Sequence, residues 1–334
     1  MSLGGNRCIA LLGILASTFY PTSSNWAATI RDDVPDSSYQ ALAANVAYAS
    51  VGMFVSNGPY TGCGVLIAPD WVLTTAHNLL LATSGTFTVG GTSYTSSQLI
   101  MNPNWNNGSV FNGYDFGLVH LSSSVTAILP ATLYTGSSEM GQIGTYVGFG
   151  LTGTGLTGYQ TLDNQERAFQ NVIDGSFNNP SVLLGSDFDN PHTNTDNWWG
   201  DATPLPLEGC VAPGDSGGGM FITIDSQTYL AGVIAFVAAT DGNANADYGD
   251  LSGSGRVSAF VPWIESTIPE PPASVLLTGA GLVLFLTRCF RRVSEPIRSG
   301  VVSLPRMRGV FHERRSRDKR SPVACDKDFL GISP

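Results

Sequence analysis

The chain has 334 residues, enough for one large domain or two small ones, and its 43% hydrophobic content with 39 glycines points to many short strands and tight turns, not a disordered polymer. Between Arg31 and Glu265 three basic residues (Arg31, Arg167, Arg256) face 20 acidic ones, whereas 12 basic and five acidic residues follow from Arg288 onward. The acidic body excludes nucleic acid as a partner, because phosphates demand positive surface, and the basic end is a separate piece with a separate job.

The first 28 residues read as a secretory signal peptide. A short start with Arg7 leads into the apolar run Cys8 to Tyr20 and then into small and polar residues, with a cleavage point between Ser24 and Ala28. An acidic stretch from Asp32 to Asp36 follows, then a helix-compatible run from Ser38 to Val46. From Ala49 the texture changes to strands, expected over 50–56, 62–68 and 71–75 and separated by Gly, Pro, Asn and Asp. The last of these ends in Thr74-Thr75-Ala76-His77. Further short strands are expected over 86–89, 93–95 and 99–101, then a loop through Asn102-Pro103-Asn104, and then Tyr114-Asp115-Phe116-Gly117-Leu118 at the mouth of an apolar strand, 117–121. A carboxylate there needs a partner for its charge. An N–H from His77 would satisfy Asp115 and fix the imidazole tautomer; taken alone, Asp115 reads equally as a turn-capping residue.

The second half opens with strands over 144–150 and 165–173. Residues 185–201, with Asp187, Asp189, Asp196 and Asp201, lack the spacing of a calcium loop and read as a solvated insertion. Gly209 to Gly219 then carries Gly214-Asp215-Ser216-Gly217-Gly218. A turn of this composition can bring the N–H groups of Gly214 and Ser216 to one point beside the Ser216 hydroxyl, the geometry of a nucleophile next to an oxyanion hole. Gly-x-Ser-x-Gly alone would read as a Gly-rich surface turn; the longer Gly-Asp-Ser-Gly-Gly string favours catalysis, but a serine needs a base. Strands over 220–224 and 232–238 and a terminal helix over 260–265 complete the body.

Ile268-Pro269-Glu270-Pro271-Pro272 forms an extended connector. The apolar run 273–287 has 15 residues. As a helix it would span ~22 Å, short of a ~30 Å hydrocarbon core. Arg288, Arg291 and Arg292 mark its cytoplasmic side. Of the cysteines, Cys8, Cys289 and Cys325 lie at the ends, and Cys63 and Cys210 belong to the body without a metal-binding spacing. No pattern for a nucleotide, haem, flavin or metal cofactor occurs.

Two resemblances organise these observations. Pro-Glu-Pro, the short apolar run and the arginine cluster together resemble the PEP-CTERM sorting signal of Gram-negative bacteria. That implies export, an exosortase-type sorting enzyme as a partner, membrane contact through 273–287, and delivery to the cell surface, outer envelope or matrix. Such signals end soon after their arginines, whereas here the basic segment 293–334, read as disordered, follows. The body resembles the trypsin/chymotrypsin-like serine proteases. The order His77, Asp115, Ser216 in these local strings carries the likeness, with Cys63-Gly64, Asn102-Pro103-Asn104, Gly148-Phe149-Gly150, Gly232-Val233-Ile234 and 260–264 in support. It implies an all-β fold of two antiparallel six-stranded β-barrels packed together, with a short terminal helix and, beyond it, the hydrophobic sorting helix. The expected division is a signal peptide (1–28), a protease domain (29–268), a sorting segment (269–292) and a tail (293–334).

The same resemblance implies a serine endopeptidase acting on protein or peptide substrates, with His77, Asp115 and Ser216 as the triad and the N–H groups of Gly214 and Ser216 as the oxyanion hole. A direct alignment puts Cys210 at the floor of the specificity pocket and Val237 on its wall. Several features depart from the family. Asn78 stands where a second cysteine often follows the histidine, so Cys63 lacks its usual partner; a Cys63–Cys210 disulfide and a free Cys210 in the pocket both stay open. No Ile-Val-Gly-Gly activation sequence occurs, and the N-terminal partner the family supplies to the aspartate at Asp215 is unidentified. Two rival readings remain, a surface or matrix protein that keeps the fold and only binds, and an esterase. The order histidine, aspartate, serine disfavours the α/β-hydrolase fold, which places histidine last.

Overall fold

A computed structural model describes residues 28–106, 109–161, 163–177, 179 and 181–268. The expected leader before Ala28, sorting segment 269–292 and tail 293–334 lie outside the described residues. In chain order the elements are β1 (Thr29–Ile30), α1 (Asp36–Ala43), β2 (Val51–Ser56), β3 (Thr61–Ala68), β4 (Trp71–Thr74), β5 (Gly85–Val89), β6 (Thr92–Met101), β7 (Gly117–Leu121), β8 (Ile143–Gly148), β9 (Thr152–Thr154), β10 (Gly158–Thr161), β11 (Arg167–Val172), β12 (Leu183–Asp187), β13 (Gly209–Cys210), β14 (Gly219–Ile224), β15 (Gln227–Ala238), β16 (Leu251–Arg256) and α2 (Val257–Thr267).

Strands β2 to β7 close into a six-stranded antiparallel barrel in the order β2-β3-β4-β7-β6-β5. Its central strands are apolar on both faces because both faces are buried. Leu66, Val72 and Val119 turn into the barrel interior with Phe54, Phe87 and Leu121, while their chain neighbours Val65, Leu73 and Leu118 turn the opposite way. There they meet Val147, Phe221, Leu230 and Val233 of the second sheet and Phe260 of α2. The two-residue period of the strands thus feeds two cores at once.

The second sheet has the order β11-β8-β14-β15-β16-β12. It is curled but not a closed barrel, which corrects the expectation of two closed ones. Its edge strands approach only past the end of β11, where Gly175 and Gly185 exchange two main-chain hydrogen bonds of 3.1 and 2.8 Å. The Trp199 ring lies so close over both glycines that a Cβ on either would overlap it, so an indole seals the seam where ladder bonds stop. A small third sheet, β10-β9-β1-β13, ties the N-terminal strand to the segment leading into Ser216.

Local differences from the sequence expectation have local causes. The 38–46 helix is instead α1 plus a separate short turn, Val46–Tyr48, because Asn45 is extended and its side chain accepts the Ala47 N–H at 3.0 Å. The expected strands 93–95 and 99–101 are one strand, β6, with a register shift between Ser96 and Gln98.

Candidate active site

Strands β4 and β7 pair with Thr74 opposite Gly117, so the residues just past β4 and just before β7 meet at one end of the barrel. His77 opens a short turn there and Asp115 lies across from it. Asp115 is 3% exposed; one of its oxygens is 2.6 Å from His77 Nδ1 and the other accepts the His77 main-chain N–H at 2.9 Å. A carboxylate only accepts, so Nδ1 carries the proton and Nε2 is left with a lone pair. The Tyr60 ring stands edge-on to the imidazole at 5.9 Å.

Ser216 comes from the loop between β13 and β14, and the first barrel holds that loop. Its carbonyl oxygen accepts the Cys63 N–H at 2.7 Å and the Asn78 side-chain amide at 2.8 Å. Asn78 is the residue after His77, so the turn bearing the imidazole also grips the main chain of the serine. The loop's backbone suits glycine alone at two points, φ being +96° at Gly214 and +88° at Gly217. At Gly217 a Cβ would also overlap the Cys63 carbonyl and the Thr74 hydroxyl. Among the described residues neither the Gly214 nor the Ser216 N–H finds an acceptor, which leaves both as donors for a ligand.

Asp215 points inward. It is 1% exposed, and its two oxygens accept the Gly150 and Ala212 N–H groups at 2.8 and 2.9 Å. Burial pushes it up to about 7, against the pull of donors that include the Ala28 N–H. The partners of this buried carboxylate are therefore main-chain amides, one of them at the start of the described chain.

Cys63 and Cys210 are both free thiols. The alternative in which they form a disulfide is corrected, because each sulfur is held elsewhere. Cys63 Sγ sits between the Gly214 carbonyl, to which it donates at 3.2 Å, and the Phe149 N–H, from which it accepts at 3.3 Å. Cys210 packs with Phe188 and Ala246, and its sulfur accepts from the Ser252 hydroxyl at 3.4 Å. Val237, expected near Cys210, packs against this same cluster and lies opposite Ser252 in the β15–β16 ladder. Burial pushes both thiols well above their ordinary range.

The acidic segment 185–201 is not a solvated loop throughout. Asp187 and Asp189 are 2% and 6% exposed. Asp187 ends β12, where its carboxylate accepts the Trp198 and Trp199 N–H groups at 2.5 and 2.8 Å. Asp189 is pushed up to about 7, first by burial and then by the charge of Asp187. Sequence reasoning missed Asn78, Gly150, Ala28 and Ser252 as residues of this region. Two of them carried a signal: Asn78, as the residue following the histidine where the family often has cysteine, and Gly150, within Gly148-Phe149-Gly150.

The sequence pattern of the family described as Trypsin matches residues 41–264. Chymotrypsin-like elastase family member 1 of Rattus norvegicus is 30% identical over 239 residues, which is 64% of this chain and 82% of the relative. Chymotrypsin-like elastase family member 3B of Homo sapiens is 29% identical over 290 residues, 77% of this chain and 96% of the relative. Among solved structures, neuropsin, a serine protease expressed in the limbic system of mouse brain, superposes with a TM-score of 0.50 at 16% identity, over 72% of this chain and all but 1% of that one (99% covered), a likeness of fold alone. With a closed six-stranded barrel, a curled second sheet and a terminal helix beneath a sequence match spanning most of the body, the chain belongs to the trypsin family of serine proteases.

Proposed function

We propose that this protein is an exported serine endopeptidase that cleaves peptide bonds through a covalent acyl-enzyme on Ser216. His77 Nε2 takes the Ser216 proton as the hydroxyl attacks the scissile carbonyl. Asp115 keeps the imidazole in the required tautomer and stabilises its cation. The N–H groups of Gly214 and Ser216 hold the oxyanion, each worth roughly 3 kcal/mol in the transition state. His77 then protonates the leaving amine, and water attacks the acyl-enzyme by the same route in reverse. The observation that most supports this reading is the 2.6 Å His77–Asp115 contact on a turn whose next side chain is bonded to the Ser216 carbonyl.

The substrate reading rests on the alignment that puts Cys210 at the pocket floor and Val237 on its wall. Neither residue carries a carboxylate for a basic side chain, so small apolar side chains before the scissile bond are the preferred class. The elastase name of the similar proteins agrees with this, small pockets being the elastase solution. Export, processing by an exosortase-type enzyme and residence at the envelope of a Gram-negative bacterium rest on the 1–28 and 269–292 segments.

The test is labelling with a fluorophosphonate probe together with a casein or peptide-library digest. The wild-type chain should be labelled and should cut after small apolar residues, and Ser216→Ala should abolish both signals. Hydrolysis surviving in Ser216→Ala would overturn the assignment. Labelling without peptide cleavage would favour an esterase, and absence of both would favour a fold kept only for binding.

A further inference from the structure

A cavity of about 370 Å³ is lined by Met53, Thr88, Ile128, Phe149 and Glu166, with exposed Ala44 among its edge residues. Its walls are otherwise apolar or neutral, so Glu166 is its one charged group. That carboxylate has no hydrogen bond or ion pair among the described residues, and burial alone pushes it up to about 7. A half-buried carboxylate without a partner is unfavourable, and the buried carboxylates of Asp115, Asp187 and Asp215 have found donors.

The missing cation is not available from the described residues. Arg31 is paired with Asp33, Arg167 with Asp36 and Asp163, and Arg256 lies 3.7 Å from Glu139. His77, His120 and His192 are likewise spoken for by Asp115, Asp70 and Asp32. The body contains no lysine. A group that completes Glu166 therefore comes from outside the described residues, and it needs an apolar stem to lie along Met53, Ile128 and Phe149. The surroundings are apolar as well: Val46 and Leu129, chain neighbours of the lining residues Asn45 and Ile128, are 86% and 89% exposed.

We propose that this cavity is a docking site for an arginine or lysine side chain of a protein partner, its aliphatic stem on the apolar wall and its cationic head on the Glu166 carboxylate. Long basic side chains combine these two surfaces in one group. The acidic body, with 20 acidic residues against three basic ones, draws such a partner in. Exposed Val46 and Leu129 suit apolar residues flanking the basic one. The site stands whether or not Ser216 is a nucleophile.

The test uses the full chain carrying Ser216→Ala, so that no peptide is consumed, labelled with ¹⁵N. It is titrated with the peptide acetyl-Ala-Val-Arg-Val-Ala-amide and with the same peptide carrying norleucine in place of arginine. The arginine peptide should shift the Gly91 and Phe149 amides saturably, and the norleucine peptide should bind at least tenfold more weakly. Adding Glu166→Gln should weaken the arginine peptide at least tenfold. Ala44→Trp, at an exposed edge position that leaves the carboxylate untouched, should do the same and carries the test if the Glu166 variant fails to fold. Equal binding of the two peptides, shifts confined to the Gly209–Gly219 segment, no saturable shift, or undiminished binding in a folded variant would each overturn the proposal.

Discussion

Asn78 shows how one side chain can join two halves of a molecule. Its amide donates to the Ser216 carbonyl at 2.8 Å and to the Thr74 hydroxyl at 3.1 Å, while the preceding residue, His77, holds Asp115. The Cys63 N–H also reaches the Ser216 carbonyl, so loss of the amide loosens the loop without leaving that oxygen bare. Asn78→Ala should therefore cost only about 1–2 kcal/mol of stability. On the proposed mechanism, turnover should fall about 10- to 100-fold, with KM changed far less, because a loosened loop would misplace Ser216 against His77. Asn78→Asp, which sets a second acceptor against the same carbonyl, should lose more. Steady-state kinetics beside thermal melts would check both, and a rise in KM with unchanged kcat would refute the positioning role. The His77, Asp115 and Ser216 strings were legible in the chain because each is a local pattern of residue types. The clamp was not, since a bond between residues 78 and 216 depends on how the two halves pack.

Strands β12 and β16 are among the elements that sequence reading passed over, and for β16 the composition explains why. Leu251–Arg256 alternates serine and glycine, which reads as a turn. In the fold Gly255 lies beneath Phe116 and Gly253 beneath Phe236, each ring so close that a Cβ would overlap it. Those glycines are the imprint of aromatic rings that are distant in sequence. Helix α2 is legible in the apolar run 260–264, and it packs on β15 and on Phe116, the residue after Asp115. Phe260 stacks on Phe116 with ring centres 4.0 Å apart. Phe260→Ala should cost about 3–5 kcal/mol, the range for deleting a buried aromatic ring. A calorimetric melt showing less than about 1 kcal/mol would mean that α2 is dispensable to the barrel it covers.

The whole molecule is acidic, and part of that charge is buried. Glu166, Asp189 and Asp215 are pushed up to about 7, Glu208 to about 8, and Asp174 and Asp250 to about 6, in each case chiefly by burial. The same groups in an unfolded chain titrate near 4. Between about pH 4 and 8 the folded state therefore binds more protons than the unfolded state, and stability falls as pH rises through that window. Asp32, Asp33 and Asp163 are held below the ordinary range, so their contribution is lost only at lower pH. The melting temperature should be higher at pH 5.5 than at pH 8, and an equal or lower value at pH 5.5 would contradict this balance. From the sequence alone come the family, most strands of the closed barrel, the acidic body and the three local strings of the candidate site, because each is written in contiguous residues. Tertiary structure alone decides that the second sheet stays open under Trp199, that Cys63 and Cys210 remain apart, that Asp215 is met by main-chain amides and that Glu166 is left without a cation. Those outcomes depend on which groups share a desolvated space, and sharing is set by packing between segments far apart in the chain.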